Sequence, residues 1–162
     1  MKKVELKINF EEYADSSELN KDDYTLLMSA IESVNNAYAP YSQYYVGAAL
    51  KLNNGEIIQG NNQENVAYPS GLCAERVAIF YASSKYPDMV VESIAITAKA
   101  KNFKIKEAVA PCGACRQVLA EYESKQNKPI RILLQGDGGK ILIFKSIEDL
   151  LPLMFHAEEL KK

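Results

Sequence analysis

Apolar positions along this chain change their period from stretch to stretch, and each change marks an element. Val4, Leu6, Ile8 and Phe10 alternate with polar residues, a strand-like pattern, before a polar stretch over residues 11–21. From Asp22 or Asp23, either of which can cap a helix, Leu27, Met28, Ile31, Val34 and Tyr38 recur at helical spacing as far as Pro40. Residues 45–52 and 56–59 flank Asn53-Asn54-Gly55, which predicts a hairpin. Good helix formers fill residues 73–85 ahead of Pro87, and Val and Ile crowd residues 90–97, so a helix and then a strand are expected. Pro111 directly precedes a second helical stretch over 112–123. Strands over 130–134 and 141–144 follow, separated by Gly136-Asp137-Gly138-Gly139. Ser146 with Asp149 resembles a capping box opening a last short helix.

This order places helices on a mixed sheet of about five strands, an α/β layered domain. No repeat, low-complexity tract or Gly/Ser/Pro linker divides the chain. Residues 1–21 read as an N-terminal extension or edge strand, and residues 22–162 as one domain. At 162 residues, 48% hydrophobic and 25% charged, the chain has ordinary globular composition. Its formal net charge of -2 gives no long-range attraction for nucleic acid or anionic lipid, and a small polar ligand fits better. No window approaches the roughly 18 uninterrupted apolar residues of a membrane span, and the alternating opening is not a signal-peptide core. A cytoplasmic protein without a membrane partner is expected.

The three cysteines are an odd number that cannot all pair within the chain, and two form a C-x-x-C. Cys73-Ala74-Glu75-Arg76 and Pro111-Cys112-Gly113-Ala114-Cys115 each open a predicted helix just after a loop, where free N–H groups and partial positive charge favour thiolates. An isolated C-x-x-C would suit redox chemistry as well as metal binding. A redox reading, however, leaves Cys73-x-Glu75 unexplained. A ligand-x-Glu segment followed by Pro-Cys-x-x-Cys is the signature of zinc-dependent base deaminases. Three thiolates on zinc leave one tetrahedral position open for a water, whose pKa the metal lowers to roughly 7. Glu75, in the same first turn as Cys73, would face that position as general acid and base without becoming a ligand. Three thiolates over-neutralise the dication, and Arg76 is the cation placed to offset the excess. Two alternatives stand beside this reading. His156 could close a structural Cys₃His site with the three cysteines. Lys99, Lys101, Lys104 and Lys106 could form a basic strip for polynucleotide, although such lysines more often line a solvated strand edge.

From about Ala39 to Leu160 the sequence resembles the small, homo-oligomeric cytidine deaminases. The likeness is carried by Pro40-Tyr41-Ser42 leading to Val46-Gly47-Ala48-Ala49, Asn62-Gln63-Glu64-Asn65 with Tyr68-Pro69, Gly71-Leu72-Cys73-Ala74-Glu75-Arg76, Pro111-Cys112-Gly113-Ala114-Cys115-Arg116-Gln117, and Leu150-Leu151-Pro152. The resemblance implies a three-layer α/β/α sandwich, one Zn2+ per subunit on Cys73, Cys112 and Cys115, catalysis by Glu75, and a pyrimidine nucleoside substrate. It further implies that Asn62 and Glu64 bind the ribose hydroxyls, that the Ala74 N–H meets the base carbonyl, and that Tyr44 stacks on the base. Phe155 would reach a neighbouring subunit's site within a homotetramer. Tyr44-Tyr45 stands where family members commonly carry phenylalanine then proline. A blasticidin-type deaminase shares the C-A-E and P-C-G-x-C-R-Q elements, but Asn62-x-Glu64-Asn65 and Arg76 favour the nucleoside enzyme.

Overall fold

The computed structural model describes residues 1–155. Its six strands are β1 (Glu11–Tyr13), β2 (Tyr44–Leu52), β3 (Ile57–Asn61), β4 (Val91–Ala100), β5 (Arg131–Gly136) and β6 (Gly138–Phe144), and its three helices are α1 (Lys21–Ser33), α2 (Ala74–Lys85) and α3 (Gly113–Gln126). The strands form one mixed sheet in the order β1-β6-β5-β4-β2-β3, in which only β4 and β5 run parallel. That parallel pair needs a crossover, and α3 provides it.

Strand alternation sorts the core into two faces. Ala48 and Leu50 of β2, Ile94 and Ile96 of β4, and Ile132 and Leu134 of β5 face α2 and α3, where they meet Ile79 and Leu119. The intervening Ala49, Ala95 and Leu133 face α1, packing with Leu26, Leu27 and Ala30. Helices on both faces make the α/β/α sandwich that the resemblance implied. Ile94, Ile96 and Ile132 are fully buried, so truncating one to alanine costs about 2–5 kcal/mol. The approach of α2 to the sheet depends on Gly60 of β3: a Cβ there would lie 2.5 Å from Ala74 O and 2.6 Å from Ala78 N. Only a bare backbone lets the start of α2 settle at this depth.

Four differences from the sequence expectations have physical causes. First, α1 is capped by Asn20, whose side chain accepts from Asp23 N at 3.0 Å, not by Asp22 or Asp23. Asp23 turns inward to Arg131, with contacts of 2.8 and 3.0 Å. Second, α1 ends at Ser33 instead of running to Tyr38, because Tyr38 bonds the segment after β3: its N–H reaches Asn62 O and its carbonyl accepts from Glu64 N. Third, the alternation over residues 4–10 forms no strand. β1 lies at Glu11–Tyr13, opposite Ile143 to Ile141, and β6 ends at Phe144, where Phe10 stacks at 5.2 Å. Ser146 then caps a 3₁₀ turn, Ile147–Asp149, in place of an α-helix, so no ladder remains for earlier residues. Fourth, the four lysines do not share one strand edge. Only Lys99 is on a strand, exposed near the end of β4 and paired with Tyr45 of β2 beyond the last β5 partner at Ile96, while the other three lie in the loop that follows. Among the described residues, no helix is long and apolar enough to cross a membrane.

Candidate metal centre

Two helix starts meet on one face of the sheet. Cys73 is the N-cap of α2 and Cys112 the N-cap of α3, while Cys115 lies one turn into α3 and is fully buried. Their sulfurs all lie within 4.8 Å of one another, with Cys73 and Cys112 at 3.9 Å. Zn–S bonds of 2.3 Å in a tetrahedron place sulfurs about 3.8 Å apart, so the three thiols fit a metal with little movement. His156, the proposed fourth ligand of a closed site, lies outside the described residues. All three cysteines are free thiols.

The electrostatics favour a dication. Cys73 is held down at about 5 by the hydrogen bond from the Cys115 thiol, with Arg76 and Cys112 adding to it against the opposing pull of burial. Cys115 is pushed up because it donates to Cys73 and is buried. One thiolate is thus ready at neutral pH, and a bound dication would convert the others by displacing their protons. Arg76 points Nη2 at Cys73 Sγ from 3.6 Å, and that contact raises its own pKa. Its Nε is buried without a hydrogen-bond partner.

Glu75, 4% exposed, stands in the first turn of α2 with Oε2 buried and lacking any hydrogen-bond partner. Burial foremost, and then the nearby Cys73 charge, push its carboxyl above the usual range. An orphaned carboxylate oxygen beside a thiol cluster is the mark of a group whose partner arrives from outside the chain.

A cavity of about 610 Å³ opens over these groups. Tyr44, Asn62, Glu64, Cys73, Glu75, Arg76 and Cys112 line it, so most of the site residues expected from sequence come together. Ala74 is fully buried and lies beside the cavity without lining it. Phe155 lines a different groove and is 73% exposed, with its carbonyl accepting from Gln117 Nε2 at 3.0 Å.

Asn62 and Glu64 have structural ties as well. Asn62 accepts from Val46 N at 2.8 Å and donates to Tyr44 O at 2.9 Å, pinning the start of β2. Glu64 accepts from Tyr41 N at 2.9 Å, from Ser42 N at 3.2 Å and from the Ser42 hydroxyl. Burial pushes Glu64 up, yet these three donors outweigh it and hold its carboxyl below the usual range. Sequence reasoning gave no role to Arg116, although it named the motif. Arg116 donates to Pro111 O at 2.8 Å and Leu150 O at 2.6 Å, fastening the Cys112 loop to the Leu150-Leu151-Pro152 segment. An arginine directly after a metal-binding pair was the available signal.

Fold and site together define an α/β/α protein with a three-thiol centre open to a cavity. Residues 20–128 match the family described as cytidine and deoxycytidylate deaminase zinc-binding region, and the chain belongs to that family. A cytidine deaminase from Halalkalibacterium halodurans is 42% identical over 139 residues, covering 86% of this chain and 98% of its own. A blasticidin-S deaminase from Bacillus cereus is 28% identical over 151 residues, covering 85% and 94%. The crystal structure of cytidine deaminase from Burkholderia pseudomallei superposes with a TM-score of 0.71 at 35% identity, over 82% of this chain and 98% of that one.

Proposed function

We propose that this chain hydrolyses cytidine and 2'-deoxycytidine to uridine and 2'-deoxyuridine, releasing ammonia, with one Zn2+ per subunit held by Cys73, Cys112 and Cys115. The observation that carries this reading is the buried, unpartnered Oε2 of Glu75 in the cavity that the thiols open into. The cation, when bound, supplies a nucleophile at neutral pH by lowering the pKa of a water to about 7. Glu75 would accept a proton from the water that adds to C4 and deliver it to ring N3. Glu75 would then carry the proton of the new C4 hydroxyl to the exocyclic amine, so that the C4–N bond breaks, C4=O forms and ammonia leaves. The raised pKa of Glu75 suits a group that must both accept and return a proton near pH 7. Arg76, on the Cys73 sulfur, offsets the excess charge of three thiolates.

Substrate is held by the cavity wall. Asn62 and Glu64, one residue apart on an extended segment, bind the ribose hydroxyls, Tyr44 stacks on the base, and the Ala74 N–H meets the base carbonyl. Exchange of Glu64's Ser42 contact for a ribose hydroxyl would keep its acceptor capacity filled. Phe155, exposed and not part of its own cavity's lining, reaches the site of a neighbouring subunit in a homotetramer. A cytoplasmic location agrees with the three free thiols, which a reducing compartment preserves.

Metal analysis and an ultraviolet assay on one sample test the reading. One zinc per chain is expected, with turnover of cytidine and deoxycytidine that chelation abolishes. A metal-free chain at full activity, or a strong preference for blasticidin S, would overturn it.

A further inference from the structure

We infer that Phe103, on the loop between β4 and α3, is a positioning residue of the deaminase site: it holds the Tyr44 ring in place at the cavity wall. The inference rests on the reading of that cavity as a nucleoside site. Phe103 is 62% exposed in a polar stretch, Lys101-Asn102-Phe103-Lys104. A single exposed apolar side chain is unremarkable by itself. This one, however, faces Tyr44 with ring centroids 6.4 Å apart and planes tilted by 33°, within the range where aromatic pairs attract.

The loop that carries Phe103 is fastened on both sides of it. Before the ring, Lys101 N–H donates to Gln43 O at 3.1 Å and Asn102 Nδ2 donates to Gln43 Oε1 at 3.0 Å. After it, Ile105 O accepts from Asp137 N at 2.9 Å and packs where a Cβ on Gly136 would come within 2.7 Å of it. The loop then continues to Val109 and Ala110, which line the cavity, and on to Cys112. Phe103 is therefore presented from a fixed base.

Both contacts before the ring fall on Gln43, whose φ of 55° is left-handed and unusual for a residue with a side chain. The conformation at Gln43 sets the direction in which Tyr44 leaves. The Tyr44 backbone is tied from the cavity side, its carbonyl by Asn62 Nδ2 and its N–H by Ser42 Oγ. The backbone bonds fix where the side chain starts, and Phe103 fixes where the ring lies. A ring already oriented loses less rotamer freedom when substrate binds, so the benefit appears in KM and not in the chemical step.

Steady-state kinetics on the zinc-loaded enzyme test this. Phe103→Ala is expected to raise KM for cytidine about 3- to 10-fold with kcat within about twofold and zinc content unchanged. Phe103→Tyr, which keeps a ring, should restore the wild-type KM. In a Tyr44→Ala background, Phe103→Ala should add nothing. An unchanged KM in Phe103→Ala, or an equal rise with Tyr44 already removed, would overturn the inference and leave the deaminase reading intact. A zinc-loaded wild-type enzyme that turns over no cytidine would sink both.

Discussion

Glu75, in the first turn of α2, and Glu123, in the last turn of α3, are carboxylates withdrawn from water on the same side of the sheet, at 4% and 9% exposure. Helix dipoles favour the first position and oppose the second. Yet Glu123 is the one fully provided for: it accepts from Ile130 N at 2.7 Å, Ile147 N at 3.2 Å and Ser146 Oγ at 2.5 Å. Those bonds tie α3 to the start of β5 and to the turn after β6. Glu75 has an oxygen with no partner at all. A carboxylate that the chain satisfies serves stability, whereas one left wanting in a cavity is reserved for a ligand.

The contrast is open to direct attack. Glu75→Gln keeps the shape of the side chain but cannot carry the proton, so kcat should fall about 10²- to 10⁴-fold while zinc content and melting temperature hold. Near-normal turnover would erase the distinction between the two residues. Glu123→Leu should do the converse, since it orphans two buried N–H groups. Urea titration is expected to show a loss of about 2–4 kcal/mol, with kcat of the folded, zinc-loaded enzyme little changed. Ser146→Ala removes both the donor to Glu123 and the cap on Glu148 N, and should cost about 1–2 kcal/mol by the same titration. A larger loss there than in Glu123→Leu would mean that Ser146 acts through the turn it caps, and not through the carboxylate.

What the chain disclosed beforehand follows from how local each signal is. Cys73-x-Glu75 and Pro111-Cys112-x-x-Cys115 are short motifs at helix starts, and their spacing alone indicated shared chemistry. The central strands announced themselves through Val and Ile, because a strand covered on both faces has apolar residues at nearly every position. β1 was hidden, being three residues long with only Tyr13 reaching the core cluster. Its pairing with β6 joins opposite ends of the chain. The end of α1 was misjudged for a similar reason: Tyr38 keeps the helical period, but its backbone is claimed by residues 62–64. The bonds of Asn62 to β2, of Glu64 to residues 41 and 42, and the approach of Phe103 to Tyr44 all span long stretches of sequence. No periodicity records such contacts.

Gly60 offers nothing to the reaction, neither a proton nor a lone pair nor a surface for the nucleoside. Even so, the sulfur and carboxylate borne by the opening turn of α2 stand where they do because one hydrogen atom occupies the place of a methyl group on the strand beneath. The reach of the reactive groups is thus measured out by a residue with no chemistry of its own, and a search for functional positions guided by reactivity would pass it over.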